Sequence, residues 1–399
     1  MAQHPLEAVA QKKPSIEAVM DMLEKGPEVL ASAVGELLPL FEAVVPVLRL
    51  ALENIQSKEV SYIKEQFLTL RNKLDVLSTQ LEDLYREMEK SRQDLQYSVV
   101  EDDIRYQYKM FTDILRVKQE LKGEKKNFFL DQFVKAGGEK NLFVLYDALM
   151  GNSSFGESVL DCKTFPLFCR YAAGNRRLLE DFCVGMKKLL LMGLIALLGH
   201  CALNQGPDGE EEKKRDWSIK MKEVEFKMKS TIESCVGSFP EHARSDAQRL
   251  FREKGEGNPA DTAQELKEFL KTKYDWVSWS VRLISDSGKF FGNQRAGKDF
   301  HHVCGQNCFE FPPLSNMNLV VSYSTKPQPV PRGRIQRVME DKAKKGNAKA
   351  VADVLKEQLH GFVVHAISRH KTSTAACSFP EDCHYWERHK NMAVCVHSE

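Results

Sequence analysis

The sequence predicts a mainly α-helical chain: an elongated bundle of long, coiled-coil-like helices followed by a smaller α+β domain. Three patterns support this fold class. Apolar residues recur at heptad spacing between residues 60 and 88, an unbroken apolar run follows residue 188, and alternating segments replace helical spacing after residue 237. We therefore predict a helical bundle domain at 1–236 and an α+β domain at 237–399.

The composition narrows the range of partners and compartments. Of the 399 residues, 57 are Lys or Arg and 56 are Asp or Glu, so the net charge gives no reason to expect nucleic acid as a partner. Ten cysteines lie at irregular spacings, and the first residues lack the basic start and apolar core of a signal peptide. We expect a reduced, intracellular and cytoplasmic chain, with a membrane-associated or single-span protein as the alternative.

The heptad pattern predicts one long helix with a seam of apolar side chains. Steps of three and four alternate over four heptads, and the opposite face carries charges of both signs. We favour packing against other helices of the same chain, and a homo-oligomeric coiled coil is the alternative. The seam comprises Val60, Ile63, Phe67, Leu70, Leu74, Leu77, Leu81, Leu84 and Met88.

The stretch KKLLLMGLIALLGHCAL, residues 187–203, is the most apolar of the chain. Its last fifteen residues would form a helix about 22 Å long, whereas a hydrocarbon core is about 30 Å thick. Extension to residues 182–186 would place Lys187 and Lys188 inside the span, which is costly unless their side chains snorkel. We expect a buried central helix, with membrane insertion as the alternative. Its apolar candidates are Leu189, Leu190, Leu191, Leu194, Ile195, Leu197 and Leu198.

The C-terminal region contains two related halves. AQRLFREKGEGNPADTAQELKEFL, from residue 247, and IQRVMEDKAKKGNAKAVADVLKEQL, from residue 335, share Gln-Arg, Gly-Asn and Leu-Lys-Glu-x-Leu. A strand-like segment follows each, and each half ends on another that opens on Asn-Met. We predict two helix-helix-strand-strand repeats, about 238–327 and 328–399, packed about a pseudo-twofold axis that hides the sheet edges.

The first of these strands alternates clearly. WVSWSVRLIS, residues 276–285, places Val277, Trp279, Val281 and Leu283 on one face. We expect that face to be core, although the tryptophans near the strands would also suit a binding surface.

Candidate chemistry is sparse. HHVCGQNC places His301, His302, Cys304 and Cys308 within eight residues, which are zinc-ligand types, but the spacing is not that of a zinc finger or ribbon. Phosphate-binding glycine loops, nucleophile elbows and His-Glu-x-x-His helices do not occur in the sequence. We predict no enzyme activity and no cofactor, with a zinc-dependent activity as a weak alternative.

Several longer segments resemble the rapunzel family of fish proteins, over the whole length of the chain. They include KEQFLTLRNKLDVLSTQLEDL, RLLEDFCVGMKKLLLMGLIALLGHCAL, DWVSWSVRLI and GFVVHAISRHKTSTAACSFPEDCHYWERHKNMAVCVHS. The resemblance implies an association with fin and skeletal growth in bony fishes. It implies no catalytic residue, because the family has no catalytic signature to compare.

Two functional hypotheses follow from these patterns. The first is a non-enzymatic regulatory or scaffold protein that acts through contacts with unidentified protein partners. The second is a membrane-active protein, similar in outline to α-helical pore-forming toxins, in which residues 189–203 insert into or span the membrane.

Overall fold

The computed structural model describes residue 65 and residues 94–151, 175–204, 207–254, 257–285, 301–314, 317–342, 347–368, 372–389 and 392–399. The chain divides into two compact units, Met1–Val236 and Gly237–Glu399. The heptad seam from Val60 to Met88 lies outside the described residues, so the coiled-coil helix stays a prediction.

The described part of the first unit is helical. Apolar side chains from all of these helices form one buried cluster, so the helices pack around a shared core. The helices are α1 (Asp94–Arg116), α2 (Gln119–Lys135), α3 (Glu139–Met150), α4 (Arg176–Asn204) and α5 (Pro207–Gly237).

The second unit combines helices with two antiparallel sheets. Its helices are α6 (Phe239–Lys254), α7 (Pro259–Lys273), α8 (Arg332–Lys342) and α9 (Ala348–Gln358). Its strands are β1 (Ser278–Ser285), β2 (His301–Cys304), β3 (Cys308–Glu310), β4 (Met317–Ser324), β5 (Phe362–Ser368), β6 (Thr372–Cys377), β7 (His384–His389) and β8 (Met392–Ser398). These elements confirm a mainly helical chain with an α+β region at its C-terminal end.

The two sheets exchange one strand. The strand orders are β3-β4-β1-β6 and β2-β5-β8-β7, so β2 joins the strands of the second half and β6 joins those of the first. In the described residues each half contains two helices followed by four strands, whereas the sequence analysis predicts only two strands per half. The missed strands, β2, β3, β6 and β7, are short or polar, and their strand structure depends on pairing with distant neighbours.

Alternation along β1 separates an apolar face from a polar one. Its residues Trp279, Val281 and Leu283, with the preceding Val277, belong to the core shared with α6 and α7, as the sequence predicts. The opposite face of β1 presents Ser280 and Arg282 toward the other sheet. The unit therefore stacks helices, sheet, sheet and helices, with a polar layer between the sheets.

The Gly-Asn pair common to both halves begins a helix in each. The side chain of Asn258 accepts a hydrogen bond from the Ala260 amide at 3.0 Å, and that of Asn347 accepts one from the Ala350 amide at 3.2 Å. Asparagine is favoured at this position because its side chain satisfies one of the free amides of the first helical turn.

Candidate functional site

The candidate site of the first unit is the helix α4. Every residue from 182 to 201 is buried, and an 18-residue window of α4 has a mean hydropathy of 1.9. Within the described part of the chain, α4 is the one helix long and apolar enough to cross a membrane, although the core helix of a soluble protein has the same properties.

The helix α4 is longer than the sequence analysis predicts. It begins at Arg176, where the side chain of Asn175 accepts a hydrogen bond from the Leu178 amide at 3.2 Å, a normal N-terminal cap. Its 29 residues extend about 43 Å at 1.5 Å per residue. The whole helix is therefore longer than a membrane span, but its uncharged part after Lys188, residues 189–204, extends only about 24 Å.

In the described part of the first unit, four other helices pack against α4. Apolar side chains of α1, α2, α3 and α5 share one buried cluster with those of α4. The covering residues include Ile104, Phe111, Phe129, Phe133, Leu142, Leu145, Trp217 and Met221. Apart from the cysteines, His200 is the one uncharged polar side chain between residues 182 and 201. Its ring stacks on that of Phe133 at 4.5 Å between centroids, and burial lowers its pKa. A neutral His200 therefore keeps this end of the helix compatible with an apolar core.

Two glycines allow the covering helices to approach α4 closely. A Cβ atom at Gly199 would lie 2.3 Å from the ring of Phe111, and one at Gly193 would lie 2.6 Å from Cδ2 of Leu142. Non-bonded carbon atoms normally stand about 3.5–4.0 Å apart. The bundle is thus fitted closely to α4 at Gly199, whereas at Gly193 the contact is with the flexible end of Leu142.

Two adjacent lysines are buried within α4. Burial lowers the pKa of Lys187, although the nearby carboxylate of Glu225 on α5 partly opposes this effect. Burial and the nearby Arg105 lower the pKa of Lys188 to about 8, while Asp181 partly opposes the shift. Lys187 therefore lies beside a buried carboxylate, whereas Lys188 experiences a second cation.

This difference predicts opposite effects of the same substitution at the two positions. Lys188→Met should stabilise the first unit by about 1 kcal/mol, because it replaces a poorly compensated buried cation with an apolar side chain of similar length. Lys187→Met should destabilise it by about 2 kcal/mol, because Glu225 then loses the charge beside it. Hydrogen exchange of the α4 amides in the full chain measures both changes, and shifts of the same sign would contradict this account.

The sequence-predicted site residues that the structure describes lie in four separate places. The seven apolar candidates between Leu189 and Leu198 are all buried in α4. His302 and Cys304 lie two residues apart on β2, both within reach of Asp353 on α9. His301 is buried beside His365 of β5, and Cys308 lies on β3 in the other sheet, so the four zinc candidates do not form one cluster.

A second polar arrangement lies between the sheets and was not predicted. Arg282 of β1 is fully buried, and its Nη1 donates hydrogen bonds to Ser280 Oγ at 2.9 Å and to Cys395 Sγ at 3.0 Å. His384 Nε2 lies 3.3 Å from the same sulfur. Burial alone would raise the pKa of Cys395, but the charges of Arg282 and His384 lower it to about 6.

Two buried histidines lie near the same arginine. Burial and the positive charge of Arg282 hold the pKa values of His365 and His397 well below their ordinary range. His397 Nε2 lies 2.5 Å from Ser322 Oγ, which joins β8 to β4 across the two sheets. Alternation along each strand predicts which of its side chains share a face of that strand. Only the sheet topology shows that these polar faces meet between the two sheets.

Comparison with known proteins gives two matches. A family model described as the cephalotoxin-like middle helical domain matches residues 53–257, just over half of the chain. Protein rapunzel of Danio rerio is 28% identical over 207 residues, which are 52% of this chain and 88% of that protein. This match is shorter than the whole-length resemblance that the motifs predict. No solved structure matches the chain.

Proposed function

Because the chain belongs to the rapunzel-like family with a cephalotoxin-like middle helical domain, we propose that its first unit is a membrane-active helical module that acts without catalysis. One observation carries this proposal: a helix of span length and composition has its whole apolar segment buried, with apolar side chains of α1, α2, α3 and α5 packed against it. The family description names a toxin, and sheltered apolar helices suit proteins that insert on contact with a bilayer.

The position of the lysines defines how α4 would insert. Residues 189–204 would extend about 24 Å, slightly less than the ~30 Å of a hydrocarbon core. Lys187 and Lys188 would then lie at the membrane surface, where each basic side chain gains about 1 kcal/mol from anionic lipid. The proposal therefore includes a preference for anionic membranes.

Dye release from loaded vesicles tests this proposal with the full chain. We expect release from vesicles of phosphatidylcholine and phosphatidylserine, and several-fold less from phosphatidylcholine alone. Cys183, which is buried in α4 but lies outside the inserting segment, should become reactive toward an alkylating reagent in the presence of the mixed vesicles, as read by peptide mass spectrometry. It should resist the same reagent without vesicles.

A matched pair of substitutions gives the control. Leu194→Asp and Leu197→Asp place charge in the apolar segment and should abolish release, whereas Phe226→Asp and Val134→Asp place it at exposed sites of α5 and α2 and should not. Absence of release at every lipid composition, with a folded protein, would remove the membrane proposal.

A second candidate is a regulatory or scaffold protein that works through protein contacts. Ile219 and Phe226 lie two turns apart on α5 and are 55% and 74% exposed, an apolar stripe of the kind that protein partners cover. The relative named rapunzel and the implied role in fin and skeletal growth fit this candidate. Phe226→Asp should then change self-association, measured by light scattering, or binding of a partner, without changing vesicle leakage.

We also infer that the two halves of the second unit are repeats. The shared order of helices and strands, the reciprocal exchange of β2 and β6 and the matching Asn258 and Asn347 caps support this inference. We also propose an intracellular, reducing location, where the ten irregularly spaced cysteines of the sequence would stay reduced.

A further inference from the structure

Three side chains with metal-binding atoms converge where β2 packs against α9. His302 Nε2 lies 3.6 Å from Asp353 Oδ1, and Cys304 Sγ lies 3.8 Å from the same oxygen. All three ligand atoms are within 4.8 Å of one another. Because His302 and Cys304 are two residues apart on a strand, both side chains project from the same face toward α9.

These separations suit a tetrahedral ion. Zinc binds imidazole nitrogen at about 2.0–2.1 Å, thiolate sulfur at about 2.3 Å and carboxylate oxygen at about 2.0–2.2 Å, which puts neighbouring ligand atoms about 3.3–3.6 Å apart. The two distances to Asp353 lie at or just above that range. Small movements of the side chains would bring all three atoms onto one ion.

The surroundings of Asp353 favour ligation through one oxygen. Lys349 Nζ holds the other oxygen, Oδ2, at 2.7 Å, so Oδ1 faces His302 and Cys304. Metal-binding carboxylates are commonly oriented by a hydrogen bond of this kind. His302 and Asp353 are 35% and 43% exposed, which leaves an open approach for an ion and room for a water ligand.

The other sheet supplies an internal comparison. In that sheet the exchanged strand β6 pairs with β1 in the same way as β2 pairs with β5. This correspondence aligns His302 with Thr374 and Cys304 with Ala376. In the aligned helix segments, Gln264 occupies the position of Asp353. In the other sheet the exchanged strand therefore packs against its helix without any metal-binding group. The fold itself does not explain the presence of His302, Cys304 and Asp353.

We propose that His302, Cys304 and Asp353 bind a zinc-class transition-metal ion, with water as the fourth ligand. The ion joins β2, a strand of the first half, to α9, a helix of the second. The site therefore fixes the strand exchange in one half of the unit only. His301 and Cys308 take no part, since His301 lies beside His365 between the sheets and Cys308 belongs to β3.

Cobalt(II) titration of the full, reduced chain tests the site, because a cobalt ion bound by a thiolate in tetrahedral geometry has characteristic charge-transfer and visible bands. We expect those bands to saturate at one equivalent and zinc to displace them. Cys304→Ser should remove the charge-transfer band, and His302→Ala and Asp353→Asn should each weaken cobalt binding at least tenfold. The matched control is Cys308→Ser, which removes a thiol from β3, the next strand along the chain. It should leave the charge-transfer band and the affinity for cobalt unchanged.

A second readout separates loss of the ligand from loss of the fold. Zinc at a concentration that half-saturates the unmodified chain should slow hydrogen exchange of the β2 and α9 amides in that chain and in Cys308→Ser. It should have little effect in Asp353→Asn, whose exchange without metal should match that of the unmodified chain. Bands that persist in Cys304→Ser, or zinc protection that persists in Asp353→Asn, would overturn the proposal. So would the absence of one-equivalent binding by the folded chain.

Discussion

Replacement of Gly199 by leucine is expected to destabilise the first unit by about 3 kcal/mol, near the upper end of the cost of overpacking. Even a Cβ atom at this position would lie within 2.7 Å of three atoms of the Phe111 ring. That ring cannot move away easily, because Phe111 is fully buried and packs against Phe129 at 5.5 Å between centroids. The larger side chain therefore has to separate α1 from α4.

The matched control is Gly123→Leu in α2. A Cβ atom there would meet nothing within 4 Å, so the leucine should stabilise α2 by about 0.5–1 kcal/mol through its better helix propensity. Gly193→Leu should fall between the two, because the nearest atom, Cδ2 of Leu142, is the end of a side chain with rotational freedom. Hydrogen exchange of the α4 amides in the full chain reads all three variants.

The same substitution also bears on the membrane proposal. A bundle that covers α4 less tightly should insert more readily, so Gly199→Leu should release vesicle contents faster than the unmodified chain while Gly123→Leu should not. Faster exchange of the α4 amides without faster release would separate the stability of the bundle from its proposed activity. Unchanged exchange in Gly199→Leu would contradict the packing account itself.

Sequence patterns predicted the parts of the fold that depend on local composition. The apolar run around Leu194 predicted a buried helix, and the alternation around Val281 predicted a strand with one face in a core. The full extent of α4 was missed because Lys187 and Lys188 resemble a boundary in sequence. Only the fold shows that Glu225, a residue of another helix, stabilises one of these charges.

The candidate sites depended more strongly on distant contacts. The sequence drew attention to His302 and Cys304, but Asp353 is 49 residues from Cys304 in sequence and meets it only because β2 crosses into the other half's sheet. Arg282 and Cys395 are separated by 113 residues, and nothing in either segment indicates a partner. Strand exchange and sheet stacking create both clusters, and neither has a local sequence signal.

Replacement of Cys395 by alanine is expected to destabilise the second unit by about 3 kcal/mol, a large effect for the loss of one sulfur atom. The thiolate lies 3.0 Å from Arg282 Nη1, and Arg282 is fully buried. Without Cys395 the guanidinium keeps its charge, because arginine does not deprotonate in proteins. In the described structure Arg282 also donates a hydrogen bond to Ser280, but this hydroxyl group is uncharged and cannot replace the negative charge of the Cys395 thiolate.

The reverse substitution, Arg282→Met, should cost less, about 1 kcal/mol, because Cys395 can neutralise itself by taking up a proton. Cys395→Ser keeps a hydrogen-bond acceptor but no charge, so it should be nearly as harmful as Cys395→Ala. The double variant Arg282→Met, Cys395→Ala should be more stable than Cys395→Ala alone. Hydrogen exchange of the β1 and β8 amides in the full chain measures the four variants.

The pH dependence of the unmodified chain adds an independent check. The pKa of Cys395 falls from 9.0 to about 6 on folding, so its contribution is present above pH 9 and is lost as the pH falls through 6. Burial alone would lower the pKa of His384, but Cys395 and Cys377 raise it from 6.5 to about 9. Its contribution is therefore present below pH 6.5 and is lost as the pH rises through 9. Between 6.5 and 9 the two slopes oppose each other, and the stability of the second unit should change little. If Cys395→Ala and Arg282→Met destabilised the second unit equally, the account in which Cys395 can neutralise itself and Arg282 cannot would be wrong.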